Sequence, residues 1–116
     1  MAVRALTGLV AEWFTPSSQE GEAAPARFKI KPLDGEQFNN VMHGIEFSAA
    51  SAVLSGAAVR DVLAMSLTDW EGVENTDGTA LECKPINHKY LPGFMRIEIA
   101  SEVFTKSILT DDEKKT

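Results

Sequence analysis

The chain has 116 residues, which supports one hydrophobic core rather than two. Eleven Lys and Arg against seventeen Asp and Glu leave a formal net charge of -6, which disfavours general affinity for nucleic-acid phosphates or an anionic membrane, and 44% hydrophobic residues argue against wholesale disorder. Cys83 is the only cysteine, so no intrachain disulfide forms and a reducing cytoplasm is expected.

The first 15 residues hold Val3, Leu6, Leu9, Val10, Trp13 and Phe14, but Glu12 and Trp13 cut the apolar run too short for a signal-peptide core. With the polar run Pro16 to Glu22 they read as an N-terminal arm and linker, residues 1–24, whose apolar side chains pack in cis or on a neighbour. From 25 to 110 the chain reads as a single mostly helical domain. Phe28 and Ile30 alternate with Arg27, Lys29 and Lys31 before Pro32, which predicts a short edge strand with a solvated basic face.

Asp34 followed three residues later by Gln37 is a capping-box signal, and Phe38, Val41, Met42 and Ile45 continue from it at helical spacing, with Gly44 as a point of fraying or bending. The small, mildly apolar stretch 49–59 is interrupted by Ser51, Ser55 and Gly56 and closed by Arg60, far short of the roughly 20 residues a membrane helix needs. Ser55 or Gly56 opens a second helix that carries Val59, Val62, Leu63 and Ser66 and leads into Leu67 to Val73, where Gly72, Asn75, Asp77 and Gly78 supply turn chemistry. Leu81 and Cys83 fall on one side of a short extended piece that Pro85 ends; a small hairpin and a loop pinned to helices both fit.

The last helix starts near Asn87 or Leu91, irregular at Pro92-Gly93, and one face of it is traced by Phe94, Ile97, Ala100, Ser101, Phe104 and Ile108. Met95, Ile99 and Val103 widen that face beyond what one packed side requires, which marks Phe94, Ile97, Val103, Phe104 and Ile108 as candidate partner-binding residues. Residues 111–116 form a flexible charged tail. The fold expected is mainly α with short β-strands or a small hairpin: a compact helical domain with an extended N-terminal arm.

Chemistry is harder to find. His43, His88 and Cys83 lack the spacing of a closed zinc site, and nothing in the sequence activates Cys83 as a nucleophile; it reads as packing, and His88 as a surface or turn residue. Asp69, Glu71, Glu74 and Asp77 do not follow the order of a calcium loop and keep a turn soluble while Trp70 packs inward. Ser48, Ser51, Ser55 and Ser66 have no nucleophile-elbow context, and Gly8, Gly21 and Gly35 form no phosphate cradle. The reading is a non-enzyme without cofactors.

Trp70-Glu71-Gly72-Val73, followed by Asp77-Gly78, resembles the corresponding segment of tail assembly chaperones encoded by long-tailed bacteriophages and prophages. The likeness extends upstream to Phe28-Lys29-Ile30-Lys31-Pro32-Leu33 and downstream to the apolar helix and the charged end Asp112-Glu113-Lys114-Lys115. It implies a mostly helical, oligomeric, nonenzymatic protein of the bacterial host cytoplasm that accompanies the tape-measure protein and tail-tube subunits during virion assembly. It also implies absence from the finished particle and, in longer forms, ribosomal frameshifting. The face from Phe94 to Ile108 would then meet tape-measure helices or another copy, with Trp70, Gly72 and Gly78 as structural anchors and neither nucleic acid nor membrane as a partner. A structural or adaptor protein of the tail, or a phage-encoded regulatory protein, is the alternative.

Overall fold

The computed structural model describes the backbone at residues 3, 5–42, 45–47 and 52–113, and side chains over the same range except 45–47, 52–53 and 109–113. His43, Gly44, Ser48, Ser51, Lys114 and Lys115, all considered above, lie outside the described residues.

Among the described residues, five strands and three α-helices follow one another along the chain: β1 (Glu12–Phe14), β2 (Arg27–Ile30), α1 (Gly35–Val41), β3 (Ile45–Phe47), β4 (Ala52–Leu54), α2 (Gly56–Ser66), β5 (Leu67–Glu71) and α3 (Gly93–Glu113). The protein is mainly helical, with a small antiparallel sheet in the order β1-β2-β5 and a separate β3-β4 pair. Short 3-10 helices cover Ser17–Gln19 and Pro85–Tyr90.

The expected edge strand is instead the central one. β2 pairs with β1 on one side and β5 on the other, so both of its backbone edges are used, and Pro32 falls beyond the strand where a missing N–H costs no ladder bond. The segment set apart as an arm thus supplies β1, and Ser17 N donates to the Glu98 carboxylate of α3 at 2.8 Å. Leu6 and Leu9 are half-buried, while Val3 and Val10 are exposed.

α1 begins as its sequence specifies: Gln37 N donates to Asp34 Oδ1 at 2.8 Å and Asp34 N to Gln37 Oε1 at 3.1 Å, a complete capping box. It ends at Val41, and Ile45, expected on its apolar stripe, belongs to β3. α2 starts at the Ser55 cap, whose Oγ accepts from Ala58 N at 3.2 Å, and buries Ala58, Val59, Val62, Leu63 and Ser66.

No loop follows α2. Leu67 turns extended at φ -80°, ψ 106°, and Lys31 N donates to Ser66 O at 3.0 Å, so a carbonyl left over at the helix end bonds to the chain leaving β2. β5 therefore occupies residues read above as a helix running into turns. A bulge opposite Lys29/Ile30 explains why Leu67 and Trp70, three apart, both reach the core.

α3 lies across α2 and β2, with Met95, Ile99, Ala100, Val103 and Phe104 in the core beside Phe28, Ile30, Leu33, Val62 and Leu63. This reverses part of the expected assignment: the residues read as surplus width, Met95, Ile99 and Val103, face inward, and Phe94 and Ile97 face out. Phe104 stacks on Phe38 with ring centroids 5.2 Å apart. Ser107, also buried, accepts from Leu33 N at 2.9 Å and donates to Val103 O at 2.7 Å, tying the β2-α1 connection to α3.

Candidate protein-binding surface

The motif around Trp70 is structural. Trp70 sits opposite Phe28 in the sheet, meets it edge to face at 6.2 Å, and donates its indole N–H to Leu81 O at 2.7 Å. Gly72 has φ +77°, and a Cβ there would lie 2.9 Å from Ala26 Cα, so no larger residue fits without moving backbone. Gly78, at φ +88°, turns a narrow loop in which Asn75 N donates to Thr79 O at 2.7 Å and Leu81 N to Val73 O at 3.0 Å, with Glu74 bridged to Ala80. Asp77 accepts from Thr79 Oγ1 and then from Thr79 N, and these bonds hold its carboxyl below the usual range. Of the two arrangements left open, the loop closes as a tight hairpin turn, and the Trp70–Leu81 bond pins it to the core.

The five residues proposed above for partner binding separate into two groups. Val103 and Phe104 are core residues, which corrects their assignment to a contact surface; Phe94, Ile97 and Ile108 are exposed at 62%, 56% and 39%. The helix carries Arg96, Glu98, Glu102 and Lys106, but its apolar arc is broader than one packed side, so periodicity alone did not choose which part of the arc faces inward; the positions of α2 and β2 did.

Two further large apolar side chains join the exposed set, Ile86 at 66% and Tyr90 at 64%. Their exposure follows from 3-10 geometry. Three residues per turn put His88 and Leu91 on one side, where both are buried, and leave Ile86, Lys89 and Tyr90 outward. The only linear sign of this is Pro85 and Pro92 bracketing a segment too short for an α-helix.

Beside Ile86, a surface cleft of about 360 Å³ opens between α2, the second 3-10 helix and α3, lined by Arg60, Lys89, Arg96, His88 and Ile86 among others. His88, read as a surface or turn residue, lies in the 3-10 helix but is 5% exposed, with its ring 6.0 Å from the Trp70 ring. Burial, and then the charge of Arg96, push its pKa down, so the imidazole is neutral at pH 7. Arg60, Lys89 and Arg96 are far enough apart in the chain that no motif joins them.

On the outer face of the sheet, Arg27 and Lys29 lie over the Trp13 ring at 5.0 and 5.9 Å, and Arg27 pairs with Glu71 across β2 and β5. The basic alternation of β2 is thus engaged within the sheet. Cys83 is half-buried, and burial, followed by the Asp69 charge, pushes its thiol up to about 11, which makes it a poor nucleophile. Among the described residues, no group of three His, Cys, Asp or Glu side chains is placed to hold a metal, and no helix is long and apolar enough to cross a membrane. No protein-family model, curated protein or solved structure matches the chain.

Proposed function

We propose that this protein acts by binding other proteins, and specifically as a tail assembly chaperone of a long-tailed bacteriophage or prophage, working in the bacterial cytoplasm. The observation that carries the binding reading is the ridge of Ile86, Tyr90, Phe94 and Ile97, four large apolar side chains exposed on two consecutive helical segments. Such a row loses its contact with water when an apolar partner covers it, and that gain does not require a buried core to open. The narrower assignment rests on the resemblance centred on Trp70 to Gly78. The buried Trp70 and the constrained Gly72 give those residues a scaffold role, so the resemblance bears on the fold that presents the ridge.

In this reading the ridge holds apolar stripes of a tape-measure helix until tail-tube subunits replace it, and the net charge of -6 keeps the complex dispersed. Copies of the chain associate through the same face, because two such apolar patches cover each other in an isologous contact. The test is co-expression with the long helical tape-measure product of the same tail gene cluster, followed by size exclusion. A shared peak and higher partner solubility are expected, and both are lost in Phe94→Asp and Ile97→Asp variants that keep their unfolding midpoints. Absence of any shared peak defeats the chaperone reading; recovery of the chain in purified particles favours a structural tail protein. Sedimentation across micromolar concentrations checks self-association, for which a strict monomer is the adverse result.

A further inference from the structure

The cleft beside Ile86 concentrates positive charge in an acidic protein. Arg60, Lys89 and Arg96 line it and no carboxylate does. The nearest compensation is weak: among the described residues Arg60 pairs with its chain neighbour Asp61, at 3.2 Å with its own side chain 70% exposed, and Lys89 lies over the Tyr90 ring at 5.2 Å. No carboxylate among the described residues pairs with Arg96.

Two buried polar atoms in the cleft-lining residues also lack hydrogen-bond partners, Arg96 Nε and His88 Nε2, the latter on a side chain that is 5% exposed. Neither atom is open to solvent, so they mark an incompletely satisfied wall, whereas the like charges gathered at the cleft repel one another and are relieved by an anion. An arginine fork beside a lysine suits a carboxylate or a phosphate. The rim separates the two. Ile86 lines the cleft, and Tyr90, whose ring lies 5.2 Å from Lys89 Nζ, adds exposed apolar surface that a free inorganic anion would leave in water.

We propose that the cleft receives an Asp or Glu side chain of a protein partner whose flanking residues are large and apolar and lie on Ile86 and Tyr90. This rests on the protein-binding reading and adds a rule of selection to it. A chain of net charge -6 repels acidic partners at long range, so a carboxylate gains only when it is set in register with the cleft. The apolar rim supplies contact area, and the cationic cleft fixes which segment is held and in which direction.

The experiment pans a displayed library of random peptides against the full chain and measures the affinities of enriched peptides, as synthetic fragments, by fluorescence anisotropy. Enrichment of one acidic position flanked by aliphatic or aromatic residues is expected. Changing that acid to its amide should weaken binding at least about tenfold, as should Arg96→Gln. The two changes together should cost no more than one alone. Arg60→Gln and Lys89→Gln, at exposed side chains, repeat the test should Arg96→Gln disturb folding. Enriched apolar peptides without an acid, bound equally by the wild type and these variants, overturn the carboxylate assignment and leave protein binding standing. Inorganic phosphate that displaces the peptides and binds more tightly than they do overturns it in favour of a free-anion site. A library that yields no binder overturns both this assignment and the protein-binding reading.

Discussion

Gly72→Ala and Gly78→Ala form a matched pair that separates backbone strain from steric exclusion. Both glycines have positive φ, +77° and +88°, so each substitution places an L side chain in the left-handed region at about 1–2 kcal/mol. Gly78 has nothing within 4 Å of the added methyl, so the cost stops there. At Gly72 the methyl would meet Ala26 Cα at 2.9 Å and both Ala26 N and Pro25 O at 3.3 Å, all backbone atoms that no rotamer change can move. Displacing them disturbs the entry into β2 beside buried Ala26 and Phe28 and adds about 1–3 kcal/mol, the range found for overpacked interiors. The expected totals are about 2–5 kcal/mol for Gly72→Ala and about 1–2 for Gly78→Ala. Urea unfolding followed by tryptophan fluorescence measures both, with unchanged slopes confirming that stability alone has moved. Equal midpoint shifts for the two variants would refute the close approach of Gly72 to Ala26 as the reason for a glycine there.

Trp70→Phe keeps the ring contact with Phe28 but leaves Leu81 O without its donor, and should cost about 1–3 kcal/mol, against about 3–5 for Trp70→Ala; denaturant unfolding of both that gives wild-type stability would place Trp70 on the surface. Ser107→Ala removes the acceptor of the buried Leu33 N–H and should cost about 1–3 kcal/mol by the same measurement, with a smaller effect in a Ser107→Thr variant that keeps the hydroxyl. Alkylation of Cys83 near pH 8.5 should run roughly a hundredfold slower in the native protein than in urea, since a thiol with a pKa raised to about 11 is scarcely ionised there; the same shift predicts stability lost as pH rises from the ordinary thiol range through 11. His88, whose folded pKa is lowered, gives the opposite sign: its contribution is complete above about pH 6.5 and lost as pH falls through that value toward the folded one, so the acid-side decline in urea midpoint should shrink in His88→Phe.

Signals carried by neighbours in sequence were legible before folding. Asp34 and Gln37 close their box within one helical turn, Ser55 caps α2 through a residue three positions on, and the alternation of Phe28 and Ile30 follows from the two-residue period of a strand. What required the assembled chain were choices among locally equivalent answers. β2 reads the same whether one or both of its edges are paired; β1, drawn from the N-terminal segment, and β5, which follows α2 without a loop, settled that. The apolar arc of α3 is broader than one packed side, and packing against α2 and β2 selected Met95, Ile99, Val103 and Phe104, leaving Phe94 and Ile97 outside. The cationic cleft had no sequence signature at all, because Arg60, Lys89 and Arg96 come from three elements and converge only when α2, the 3-10 helix and α3 are packed together. Local periodicity fixes which residues can be buried; long-range packing decides which of them are.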